Sequence, residues 1–352
     1  MGLGGGGGSG DPAGALRGFV REAGGCAVVD GGLATELEAH GADLQLQDVL
    51  WSDKCLATAP NLIRKVHLDY LEAGANIITS ASYQATIQGF QSRGLSQDES
   101  EALLRRSVHV AQEARRVFVD GQPRPPVALV AASIGSYGAY LADGSEYRHA
   151  RTHELTPHLK NCGLIAVDAV ATTASWSRRN KEVLKSFHRR RLQVLAGAGP
   201  DLILIAFEKN RDDPKQARST GLRGAPGALE ENGIRIPAWF SFTSKDGVNA
   251  ASGDPITECA AVAESCARVA AVGVNCTAPR LIHRLILSIK KDTTGASGTD
   301  FASCVSEWRQ AGASLIGGCC RTSPATVRAI ARALREADAD DDYDDVPAVA
   351  VL

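Results

Sequence analysis

The sequence lacks a long apolar run, an excess of either charge and a secretory leader, and each absence removes a class of protein. No stretch approaches the roughly 18 consecutive apolar residues that a membrane-crossing helix needs. Thirty-eight Lys and Arg stand against 40 Asp and Glu, a net charge of −2. That balance argues against nucleic acid or an acidic membrane surface as the main partner. Met1–Gly10 is a glycine tract with no basic segment and no apolar core, so it does not read as a signal peptide. Without such a leader, nine cysteines are expected to be reduced thiols of a cytoplasmic protein rather than a disulfide framework. Aromatic residues are scarce at 5%, which leaves Leu, Ile, Val and Ala to fill the interior.

What is present is ordinary for a globular chain: 352 residues, 44% hydrophobic and 22% charged. Residues 1–12 read as a flexible glycine-rich start. Residues 13–335 read as one barrel domain. Residues 336–352, opening on the acidic run Glu336–Asp345, read as a disordered tail.

A single pattern recurs through the barrel domain. A helix-period stretch ends in Ala-Gly or Gly-Ala, and a short apolar run follows, as in Glu72–Thr79, Gly197–Phe207 and Gln310–Gly318. Glycine closes a helix in a left-handed turn, and a run without alternation suits a strand buried on both faces. Strands are expected at Cys26–Asp30, Asn76–Ser80, Val127–Ser133, Asp201–Phe207, Ala238–Phe242, Ala271–Cys276 and Ser314–Cys319. Ser96 and Glu99 form a capping-box pattern before Leu103, Val110 and Val117, with Gly121 as the stop. Ser323-Pro324 opens another helix, carrying Val327, Ile330 and Leu334 on one face.

Seven strands with helices between them give the α/β class and a (β/α)8 barrel of the TIM type that lacks a clear seventh strand. The gap falls between the helices expected at Leu281–Ile289 and Phe301–Ala311, where Lys290–Asp300 has no apolar run. The expected result is either a smaller strained barrel or two open strand edges. Arg148–Lys181 is irregular, and Lys209–Gly233 carries four glycines where a helix should lie.

The chemistry concentrates at strand ends. Cys276 closes one expected strand and Cys319-Cys320 close another. In such barrels the C-terminal strand ends form the mouth of the active site, so the three thiols should meet there. Three thiolates in tetrahedral arrangement select zinc and leave a fourth position for substrate. The competing reading is three buried apolar cysteines, a common fate of free Cys. Cys26, Cys55, Cys162, Cys259, Cys266 and Cys304 carry no ligand spacing and fit that second description. Asp30-Gly31-Gly32 ends the first strand, where it can cap a tight turn or meet a polar ligand. Glu208 follows the fourth strand, and Ser80, Ser82 and Tyr83 follow the second.

Together these residues resemble the homocysteine S-methyltransferase family, and most closely its plant members that use S-methylmethionine. The similarity is carried by Val29–Leu37, Ile77–Phe90, Phe187–Leu195, Ile236–Gly247, Val272–Pro279 and Gly312–Pro324. The resemblance implies a (β/α)8 barrel whose zinc is held by Cys276, Cys319 and Cys320. It also implies that Asp30, Gly31 and Glu208 hold the amino-acid part of homocysteine, which takes a methyl group from a sulfonium donor, S-methylmethionine or S-adenosylmethionine, to give methionine. Related zinc methyltransferases acting on selenocysteine or using betaine are alternatives, as is a zinc-binding isoform without turnover. The chain departs from the family pattern at Lys209-Asn210-Arg211-Asp212, across Lys290–Asp300 and around residues 148–180. Those departures bear on the donor more than on the metal.

Overall fold

The structure, a computed structural model, describes residues 11–44, 50–123, 126–136, 139–140, 186–206, 229–251, 253–290, 301–336 and 348–352. It contains eight strands: β1 (Ala27–Val28), β2 (Ile77–Thr79), β3 (Leu129–Ile134), β4 (Leu202–Ala206), β5 (Ala238–Phe242), β6 (Val269–Val274), β7 (Ala313–Ile316) and β8 (Ala348–Val351). They pair in the order β1-β7-β8-β6-β5-β4-β3-β2, every pair parallel. A parallel bridge between Val29 and Ile77 brings β1 back to β2, so the sheet curls into a nearly closed barrel. All seven expected strands are present. β5 has the expected bounds, and the others are shorter than or shifted slightly from their apolar runs.

The eighth strand corrects two expectations. Its residues lie in the stretch read as a disordered tail, yet Ala348–Val351 is buried along its whole length. It fills the seventh position of the barrel, with Ala271–Val274 of β6 on one side and Ala313–Ile316 of β7 on the other. The seventh strand is therefore supplied from behind the last helix, and neither a smaller barrel nor a pair of open edges forms there. The physical reason is that backbone pairing depends on proximity and not on chain order. A continuous apolar run, Ala-Val-Ala-Val, suits a slot buried on both faces. The Lys290–Asp300 linker lies outside the described residues from 291 onward, as do 148–180 and 209–228.

Burial on two faces divides the core. Alternate residues point inward, among them Val29, Ile77, Ala131, Leu204, Trp239, Leu315 and Ala350, and pack with Leu16, Phe19 and Val20. Those three belong to the helix Pro12–Glu22, which closes the barrel at the end where β1 begins and takes in Pro12, expected to be flexible. The opposite faces, including Val130, Ile203, Phe240, Val272, Val349 and Val351, pack against the outer helices.

The outer helices form where their signals stand. Gln97–Asp120 begins with the complete capping box of Ser96 and Glu99. Leu103 and Val110 are buried on it, whereas Val117 is half exposed. Pro324–Glu336 buries Val327, Ile330 and Leu334 as expected. No helix among the described residues is long and apolar enough to cross a membrane.

The plugging helix makes a clear test. Phe19→Ala removes a buried ring from the inner layer and should cost about 3–5 kcal/mol of unfolding free energy in urea titrations. Gly18→Ala, on the same helix with open space around it, should stabilise by up to about 1 kcal/mol.

Candidate metal centre

Cys276 lies two residues past the end of β6, and Cys319-Cys320 lie three and four residues past the end of β7. The fold brings their sulfurs together at the mouth. Cys276 Sγ is 3.1 Å from Cys319 Sγ, and Cys319 Sγ is 3.9 Å from Cys320 Sγ. All three sulfurs fall within 4.8 Å of one another. Thiolates each about 2.3 Å from a tetrahedral zinc would sit about 3.8 Å apart, so this spread fits one ion. Cys320 is exposed and the other two are half-buried, which leaves a solvent side open.

Backbone geometry aims these thiols. Cys276 has φ of 48° and Arg321 has φ of 65°, the two positive values among described non-glycine residues. A side chain is strained in that region, and such strain persists only where the surroundings enforce it. Around Cys276 the enforcement is polar. Ser241 Oγ donates to Asn275 Oδ1 at 3.0 Å, and Thr277 Oγ1 donates to the Asn275 carbonyl while accepting from Ser244 N.

The second arm is fastened to the first strand's turn. Gly318 N donates to the Asp30 carbonyl, and Gly32 N donates to both oxygens of Thr322. Tyr70 Oη lies 3.1 Å from the Gly32 carbonyl and 2.9 Å from that of Thr322, within donating range of both. A Cβ on Gly32 would lie 2.5 Å from the Cys319 carbonyl, and one on Gly31 would lie 2.8 Å from the Tyr70 ring. Glycine is needed at both positions because the two turns interlock.

Charge is arranged unevenly across the mouth. Hydrogen bonding from Cys276 and Cys319 lowers the Cys320 thiol to about 3. Hydrogen bonds with Cys276 and then Cys320 push Cys319 well above the ordinary thiol range. Three adjacent thiols cannot all become anions unless a cation joins them, and a divalent ion is the natural complement. Beside them, burial raises the Asp30 carboxyl to about 7, against the hydrogen bonds it accepts from Thr79 N at 2.7 Å and Thr79 Oγ1 at 3.1 Å.

Other residues singled out in the sequence fall into place as follows. Ser80 and Ser82 are buried and bond each other at 2.6 Å. Ser82 also donates to the Ser133 carbonyl, so the pair fastens the β2 turn to β3. Cys26, Cys55, Cys259, Cys266 and Cys304 are buried core thiols, while Cys162 and Glu208 lie outside the described residues. A second cluster, Glu36, His40 and Asp69, already holds a cation, since the Lys65 ammonium lies 3.0 Å from Asp69 and 3.2 Å from His40.

Sequence reasoning missed one network. Arg191 is fully buried and donates to the carbonyls of Gly135, Ser82 and Tyr83 at 2.6–3.0 Å. Asp53, buried beside it, accepts from the amides of Gln84 and Ala85. Burial raises Asp53 to about 6, and the Arg191 guanidinium works against that rise. The two charges clamp the loop that leaves β2 toward the mouth. The signal available was an arginine on the buried face of the helix over residues 186–197.

Residues 27–334 match the family model described as homocysteine S-methyltransferase. Homocysteine S-methyltransferase 4 of Zea mays is 64% identical, the match covering 99% of each chain. Selenocysteine Se-methyltransferase of Brassica oleracea var. italica is 47% identical over 91% of this chain and 92% of its own. Among solved structures, the homocysteine methyltransferase MmuM from Escherichia coli in its metallated form superposes with a TM-score of 0.70. That match is 35% identical and covers 87% of this chain and 96% of the other.

The thiol pattern sets an order of reactivity that peptide mapping can read. In metal-free protein at pH 5–6, iodoacetamide should label Cys320 first. Cys26 and Cys259, pushed up to about 12 by burial, should remain unlabelled until the chain unfolds. Labelling of Cys26 or Cys259 as fast as Cys320 would contradict this order.

Proposed function

The chain belongs to the homocysteine S-methyltransferase family, and from that premise we propose that it moves a methyl group from a sulfonium donor, S-methylmethionine in particular, to homocysteine whose sulfur is activated on zinc. The observation that carries this reading is the convergence of Cys276, Cys319 and Cys320 within 4.8 Å at the open end of the barrel. Zinc, when bound, supplies a position where a fourth thiol loses its proton at neutral pH and stays electron-rich.

The chain's own residues do the rest. Three thiolates over-neutralise a divalent ion, so the mouth is anionic and draws a cationic donor rather than a neutral one. Asp30 is the proposed partner of the homocysteine ammonium, and a charge-assisted bond of that kind contributes about 1.5–3 kcal/mol. Gly31 would contribute its backbone, since the space beside its Cα is taken by Tyr70 and Thr322. Glu208, two positions past β4 in sequence, is the proposed second carboxylate. No general base is required at a sulfur already held as thiolate.

Purified protein should bind about one zinc per chain, and replacing Cys276, Cys319 or Cys320 with Ala should remove most of it. Cys259→Ala is the control that keeps it. Methionine formation from homocysteine and S-methylmethionine is the direct assay, with selenocysteine as the competing acceptor because relatives carry both names. Full zinc in Cys276→Ala would defeat the ligand assignment.

Asp30 gives a pH signature. Its folded pKa, about 7, lies above the roughly 3.9 of an unfolded aspartate, so the native state holds the proton more tightly. Stability from this group is complete below pH 4 and is lost as pH rises through 7. The ligand-free chain should therefore soften across that window in thermal melts, and Asp30→Asn should remove the slope. Binding of methionine, which has no ionising thiol, should tighten with pH as Asp30 becomes a carboxylate near 7. A flat calorimetric profile from pH 5.5 to 8 would return Asp30 to a purely structural role.

A further inference from the structure

We propose that docking of β8 assembles the metal centre, so that strand insertion and metal binding are two halves of one coupled equilibrium. The proposal rests on the zinc reading of the three thiols. Its starting point is that β6 and β7, which carry the two ligand arms, do not pair with each other. Each pairs with β8, which lies between them.

The contacts are placed where they matter. The Gly317 amide, two residues before Cys319, donates to the Val351 carbonyl at 2.9 Å. The Leu352 amide donates to the carbonyl of Val274, two residues before Cys276, also at 2.9 Å. The last rung on each side of β8 thus fixes the strand end from which a ligand turn departs. With neighbouring strands about 4.8 Å apart, β6 and β7 stand about 10 Å apart across β8. Their turns lean inward over its end to bring Cys276 and Cys319 to 3.1 Å. Without β8 the two strands would either collapse onto each other or splay, and neither spacing preserves that convergence.

The slot fits this segment closely. Gly273 of β6 has no room for a methyl group, because the Ala350 backbone and side chain occupy the place. Ala348 and Ala350 face the inner layer with Leu16 and Phe19, while Val349 and Val351 face the helices at 2% and 1% exposure. Thermodynamic linkage then makes the effect reciprocal. Whatever factor strand release takes from metal affinity, bound metal must add to strand docking.

The first test uses the unaltered chain. Amide hydrogen exchange at Val349, Ala350, Val351 and Leu352 should slow by about tenfold or more when zinc is added, a coupling of ordinary size. Equal exchange with and without zinc overturns the proposal. The second test is the double variant Val349→Asp and Val351→Asp, which places two unpaired carboxylates against apolar helices and should expel the strand. Its zinc affinity, measured by chelator competition, should fall by about tenfold or more although all three thiols remain. Val117→Asp, on an exposed helical surface, should leave affinity unchanged. Unchanged affinity in the double variant overturns the proposal; if that variant fails to fold, the exchange result on the unaltered chain decides. A chain that binds no zinc at all would sink the metal reading together with this one. Zinc bound without coupling would sink this one alone.

Discussion

Every strand inside a closed parallel barrel presents backbone donors and acceptors on both edges, and leaving such a group buried and unmatched costs about 1–3 kcal/mol. That requirement organises the molecule. Seven strands arrive in chain order with helices between them, and a vacancy remains between the sixth and the last of these. The vacancy cannot stay open beside an apolar inner layer, and four residues from beyond the final helix close it. Once the ring is complete, the strand ends share one rim, and the rim is where the chemistry is gathered.

The rim combines rigidity with unbalanced charge. Interlocked glycine turns, the Tyr70 hydroxyl and the Thr322 oxygens hold one pair of thiols in place. A strained backbone at Cys276 turns the third toward them. The result is a pocket with more acidic groups than it can ionise alone, together with a carboxyl whose pKa burial raises to about 7. Such a pocket is incomplete without positive charge. In the function proposed above, a metal ion, a substrate ammonium and a sulfonium would each supply some of it.

Much of this was legible in the sequence. Apolar runs bounded by glycine marked the seven strands, because two-sided burial leaves no polar alternation to obscure them. The meeting of Cys276, Cys319 and Cys320 was legible because barrel topology places all strand ends on one side. What escaped was β8, since Ala348–Val351 is only four residues long and stands behind an acidic stretch, where no β/α unit announces it. Asp53 and Arg191 escaped for a different reason. Their partners are backbone carbonyls and amides from distant segments, and the helical spacing that sets Arg191 in line with Phe187 and Leu195 does not say what it will bond.

The position of β8 also sets a timetable. Its pairing joins residues near 271 and 315 to residues near 350, so it can form only after the other seven strands have all been made. As the polypeptide leaves the ribosome, the first seven strands and both cysteine arms are made before the piece that sits between them. The nascent barrel must therefore wait with its seam unsealed until position 351 emerges. For that interval it would depend on whatever shields unfinished chains from one another.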